Sequence, residues 1–209
     1  MKTLKLSAIA ILALLCVAKQ GRADITLTFD KLPGNEVAIP QGYGGLNWVN
    51  FFYLDGVDFG TPSGYQNGVV SPKNVAYDPF GNAASFNRIV PFTLLSGFFT
   101  AAWNDGAGIE AQGFVAGNPI PVVTQNFFVT TSGPLFVNFA NFTGLNEVWF
   151  IPNDGNPHGF AGHGEQFALD NVTIAGDSSI AGAVPEPAAV LLFGTVTLLM
   201  VSLLRRRLC

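Results

Sequence analysis

Between residues 24 and 184 this 209-residue chain has no cysteine, its two, Cys16 and Cys209, lying near the ends. That excludes a disulfide framework, a thiolate nucleophile and any cysteine-based zinc or iron–sulfur site in the middle of the protein. Positive charge is equally scarce. Of the 10 Lys+Arg, only Lys31, Lys73 and Arg88 fall in this stretch. All of the 14 Asp+Glu except Glu186 fall there, so three cations face 13 carboxylates and the body carries a net charge of −10. Such a body cannot neutralise phosphates along a duplex, which excludes nucleic acid as a partner. Capped amphipathic helical patterns and internal repeats are also missing.

Aromatic residues are abundant instead: 19 Phe, 4 Tyr and 3 Trp. A solvated chain does not carry so many, and about 160 residues suit one domain with a real core. The remaining cations sit at the two ends. Lys2 and Lys5 precede an apolar run over 6–18, and Gly21-Arg22-Ala23 places small residues before Asp24. This reads as a secretory signal over 1–23, cleaved between Ala23 and Asp24. At the other end, Pro185-Glu186-Pro187 is followed by an uncharged run over 188–204 and then Arg205-Arg206-Arg207. As a helix that run would be about 26 Å long, just under the ~30 Å hydrocarbon core. The arginines would keep its end cytoplasmic, so the body would face away from the cytoplasm.

Proline-bracketed glutamate, short span and terminal arginines, in that order, resemble the PEP-CTERM sorting signal. The resemblance covers residues 185–209 and implies an exosortase as processing partner, with the chain held briefly at the inner membrane and facing the periplasm. Cleavage near Pro185-Glu186-Pro187 would then release the body to the cell surface or an extracellular polysaccharide matrix. The prolines hold the motif extended, where a protease can read it. Residues 177–184 read as a flexible spacer.

The body, residues 24–176, reads as all-β. Ile25, Leu27 and Phe29 alternate with Thr26 and Thr28. Further strands are predicted over 74–77, 85–88, 98–103, 109–115, 122–130, 135–142, 147–151 and 167–174, with one around 48–54. Asn104-Asp105-Gly106 and Thr143-Gly144 supply turn chemistry. Intervals of about 8–14 residues between turn signals point to an antiparallel β-sandwich or jelly roll. In the last strand Phe167 and Leu169 share one parity and Val172 and Ile174 the other. That implies two buried faces or a bulge near Asp170-Asn171.

The stretches Pro40-Gln41-Gly42-Tyr43-Gly44-Gly45-Leu46-Asn47-Trp48, Ser63-Gly64-Tyr65-Gln66-Asn67-Gly68, Ala101-Ala102-Trp103-Asn104-Asp105-Gly106 and Gln166-Phe167-Ala168-Leu169-Asp170-Asn171 resemble small exported domains that precede this sorting signal. Those domains look like jelly rolls of the carbohydrate-binding-module type. The resemblance transfers no catalytic residue.

For catalysis the residues offer little. Ser71 and Ser85 lie in no Gly-x-Ser-x-Gly elbow. His158, His163 and Glu165 are interleaved with glycines that break any zincin helix, and Asp55 and Asp58 flank a turn. The chain is therefore expected not to be an enzyme, a surface hydrolase being the third reading. Sugar binding calls for exposed aromatic rings near polar loops, which points to Tyr43, Trp48 and Tyr65. Trp149, between Val148 and Phe150, reads as core. Calcium takes oxygen ligands, and in carbohydrate-binding jelly rolls a calcium often joins the first and last strands. That resemblance singles out Asp30 and Asp170. The leading expectation is an exported protein with a structural or adhesive role in the polysaccharide matrix; the alternative is a carbohydrate-binding module with a specific glycan. An intact-mass spectrum of the secreted protein is expected to begin at Asp24 and end near Pro185–Pro187. Residues 205–209 in the mature form would overturn the processing.

Overall fold

The computed structural model describes residues 24–175. The expected signal ending at Ala23, the spacer 177–184, Pro185-Glu186-Pro187, the span 188–204 and Arg205, Arg206 and Arg207 all lie outside the described residues. Among the described residues no helix is long and apolar enough to cross a membrane.

The body is all-β and its strands pair antiparallel. In chain order the strands are β1 (Ile25–Leu27), β2 (Val37–Ala38), β3 (Asn47–Val49), β4 (Phe52–Asp55), β5 (Asn74–Tyr77), β6 (Ala84–Phe92) and β7 (Leu94–Ala101). Then come β8 (Asn104–Asp105), β9 (Ala107–Phe114), β10 (Val123–Val129), β11 (Leu135–Asn138), β12 (Leu145–Asn153), β13 (Asn156–Pro157) and β14 (Phe167–Ile174). A 7-stranded sheet runs β11-β7-β14-β5-β4-β2, with β1 also on β14; a 5-stranded sheet runs β10-β9-β12-β6-β3. β8 and β13 form a separate two-stranded pair.

One core lies between the two large sheets, and phenylalanine fills it. Phe150 of β12 meets Phe86, Phe99, Phe139, Phe51 and Phe167 at centroid distances of 5.2–6.3 Å. Most of these pairs are tilted or edge-on, the arrangement that the ring quadrupole favours. A second, smaller cluster lies outside this core and is built on Leu54, Tyr65, Val75, Trp103 and Ala168.

Three local expectations are corrected by the packing. The strand expected around 48–54 is two strands, because Asn50 takes a left-handed φ of 53° and sends β3 to one sheet and β4 to the other. A helix, α1 (Gly64–Asn67), stands where none was expected. It is too short to show periodicity and owes its place to packing, since a Cβ at Gly64 would collide with the Ala101 carbonyl. Trp149 is not core. Strict alternation turns Val148 and Phe150 inward and leaves Trp149 37% exposed on the outer face of the five-stranded sheet.

The β14 parity change is a bulge. Its register to β7 shifts after Asp170, and Asn171 takes φ 49°. Phe167 and Leu169 face the core before it, and Val172 and Ile174 after it. Phe150→Ala is expected to cost about 3–5 kcal/mol, read from the denaturant midpoint. A loss below about 1 kcal/mol would show that the rings around it are not one packed unit.

Candidate functional site

The bulge leaves Asp170 fully buried against the segment before β5. Its Oδ2 accepts the Val70 and Ser71 amides, both at 2.8 Å, and its Oδ1 accepts the Asn171 amide at 2.7 Å. The Ser71 hydroxyl lies 2.9 Å from Oδ1. Burial raises the Asp170 carboxyl above its ordinary range against the pull of these donors. Asp30, just after β1, holds the same segment further along, accepting the Lys73 and Asn74 amides at 3.1 and 3.0 Å. Partial burial would raise Asp30, but the Asn74 amide, the Thr28 hydroxyl and the Lys73 amide bring it below the usual value. The Ser71 hydroxyl also lies 3.0 Å from the Thr28 carbonyl, which ties the segment to the end of β1.

Asp30 and Asp170, the two residues singled out for calcium, hold one and the same segment, and their present partners are backbone N–H groups and the Ser71 hydroxyl. Asn74 Oδ1 is buried beside them without a hydrogen-bond partner. Two carboxylates, a hydroxyl and an amide oxygen are the hard donors calcium takes, and Lys73 turns its ammonium away to Asp55 at 3.1 Å. The set fits calcium in kind. Among the described residues no cluster of three or more His, Cys, Asp or Glu forms, so two carboxylates are the acidic ligands on offer.

The clamped segment lays α1 on the outer face of the seven-stranded sheet. The Gly64 amide donates to the Ala102 carbonyl at 2.8 Å, and Asn67 Nδ2 donates to the Thr131 carbonyl at 2.8 Å. Tyr65 is thereby driven inward to 4% exposure. Its ring lies 5.1 Å from Phe59, 5.3 Å from Tyr77 and 5.4 Å from Trp103.

Above this aromatic floor is a cleft of ≈ 370 Å³ whose walls carry Glu36, His163 and Gln166. Glu36 sits in a left-handed turn, φ 53°, which is held by the Asn35 side chain on the Asp55 amide at 2.7 Å. Such backbone strain persists only where neighbours impose it. Burial and the negative charge of Glu36 push the Tyr77 phenol up to about 12. Gln166 Oε1 is buried without a hydrogen-bond partner in the structure.

The segment 154–166 forms the far wall, with Gly162 packed on the Trp103 ring. It is pinned by β13 on β8 and by His158 Nδ1, 2.6 Å from Asp105 Oδ2. Asp105 is held at about 2, first by that histidine and then by the Thr131 amide.

Of the expected sugar platforms, Trp48 and Tyr65 are corrected, both being buried, and Tyr43 is half-buried. Trp48 is 3% exposed, packed on Phe86 at 5.1 Å and Phe51 at 5.4 Å. Its indole N–H donates to the Tyr43 carbonyl at 2.9 Å, and Gln41 brackets its backbone. Tyr43 is half-buried and its hydroxyl accepts the Phe29 amide at 2.9 Å. Both rings therefore staple the 40–48 loop to the core. Tyr65 is buried too, yet it reaches the cleft from beneath. Phe59 and Tyr77, which the sequence did not single out, keep half-exposed faces there.

The histidines do not converge on a metal. His158 pairs with Asp105, Glu165 accepts the Asp154 amide at 3.2 Å, and His163 alone lines the cleft. Asp55 accepts the Asp58 amide at 3.1 Å as a turn would require.

No protein-family model and no curated protein matches this sequence. Among solved structures the fold is similar to a carbohydrate-binding module, TmCBM61, determined in complex with β-1,4-galactotriose. The TM-score is 0.34 at 10% identity, over 69% of this chain and 99% of that one.

Proposed function

We propose that this is an exported, non-catalytic β-sandwich that binds a neutral sugar in the cleft over Tyr65. The observation that carries the reading is the cleft itself: an aromatic floor with Glu36, His163 and Gln166 in its walls. A pyranose offers one apolar face and a ring of hydroxyls, and pockets of mixed aromatic and sparse polar lining suit such ligands. Tyr77 and Phe59 would stack, and Glu36 would accept hydroxyl protons. Binding without hydrolysis is supported by the carboxylate count, since a glycosidase works with two and Glu36 alone lines this cleft. The wider role is attachment to extracellular polysaccharide, as an adhesive or structural component of the matrix. Delivery by an exosortase is supported by Pro185-Glu186-Pro187 and the arginines that follow.

Calorimetry against a panel of neutral oligosaccharides checks the cleft. At least one should bind, and Tyr77→Ala and Glu36→Gln should each weaken it about tenfold, roughly 1.4 kcal/mol. A panel that is silent throughout, or variants that bind like the parent, would sink the reading.

A second reading, that calcium braces Asp30 and Asp170, is favoured by the orphan Asn74 Oδ1 between β1 and the clamped segment. Chelator is then expected to lower the melting midpoint and added calcium to restore it, because an ion that binds only the folded state stabilises it by mass action. Asp30→Asn should remove the response; a midpoint indifferent to chelator would overturn the calcium site.

A further inference from the structure

The outer face of the five-stranded sheet lies on the other side of the sandwich from the cleft. Its register is continuous. Val49, Ser85, Trp149, Gln112 and Thr124 form one row across the five strands. Asn47, Asn87, Glu147 and Phe114 form the next, and Ile151, Glu110 and Asn126 flank the first row on its other side.

The middle of this face is an aromatic step. Trp149 is 37% exposed and its ring lies 6.4 Å from Phe114. Polar side chains around it are already oriented by one another. Ser85 Oγ donates to Glu147 Oε1 at 3.2 Å, Gln112 donates to Glu110, and Asn47 donates to Asn87 at 3.4 Å. Glu147, Glu110, Gln112 and the two asparagines keep further lone pairs or amide protons for a ligand, while buried Ser85 orients Glu147 from beneath.

The charge selects the occupant. The rows hold Glu110 and Glu147 and no lysine or arginine, so anionic polysaccharides and phosphates are repelled. Amides and carboxylates without cations suit hydroxyl groups, which donate as well as accept. Adjacent strands are about 4.8 Å apart, comparable to the repeat of an extended β-linked pyranose chain. The row across five strands thus offers Trp149, Gln112 and Thr124 to successive units, with Val49 an apolar contact at its edge and Ser85 buried beneath.

We propose that this face is a second glycan-binding platform, taking a neutral linear polysaccharide laid across the strands with one sugar on Trp149. The proposal uses different residues on a different sheet from the cleft, so either site can fail alone. With both in place, one molecule bridges two chains or grips one chain twice, and avidity rises with no new contact.

The test uses the full-length chain, its three tryptophan indole signals, and three probes: cellohexaose, galactohexaose and xylohexaose. At least one probe should shift the Trp149 indole while leaving buried Trp48 in place. Trp149→Ala should lose that component about tenfold or more with its melt unchanged, whereas Tyr77→Ala should keep it. Trp149→Phe, which preserves an aromatic face, should retain part of the binding. The proposal is overturned if no neutral probe moves Trp149, or if Trp149→Ala binds as the parent does. Preferential binding of alginate would overturn it as well. So would a Trp149 shift that follows protein concentration without sugar, which would make the face a contact between copies of the chain.

Discussion

Burying a carboxylate under a loop is the constraint on which the functional half of this molecule rests. Asp170 lies in the central strand of the seven-stranded sheet, where an unsatisfied charge would cost far more than the loop contributes. The Val70, Ser71 and Asn171 amides and the Ser71 hydroxyl satisfy it. In return the segment is fixed on the outer face of the sheet, and Tyr65 is carried down with it. Without that anchor the aromatic floor of the cleft would have no cover.

The bulge in β14 makes this arrangement possible. One extra residue reverses which side chains face inward, so Val172 and Ile174 continue the core after Asp170 has left it. The strand thus serves the phenylalanine core with four of its eight residues and the loop clamp with one. The same economy appears at Asn50, where a single left-handed residue moves the chain from one sheet to the other. Each sheet then keeps a full set of inward apolar residues and an outer face free for other chemistry.

Local patterns made the strand content legible. The apolar pattern located β5 and β14 at their observed bounds, and the parity break left two buried faces or a bulge near Asp170-Asn171, of which the structure has the bulge. Aromatic exposure was not legible, because it depends on which sheet covers which ring. Trp48 and Tyr65 lie in glycine-rich loop sequence and look exposed, yet tertiary packing buries both. Trp149 sits in an apolar run and looks buried, yet the period of two turns it outward. Glu36 and Gln166 were not singled out, since they meet only once β2, β4, β5 and β14 are assembled in one sheet. Asp30 and Asp170 were paired through a likeness to other jelly rolls, and the amides that hold them belong to a segment far away in sequence.

The pairing of β1 with β14 has a consequence for how the chain matures. Ile25 lies opposite Ile174 and Leu27 opposite Val172, so the first strand waits for the last before its edge is satisfied. Such long-range closure is slow compared with local hairpins. A chain made N-terminus first cannot complete this sheet until almost the whole body is present. Folding of this sheet is therefore ordered in time by topology alone, and β14 acts as the latch that closes it.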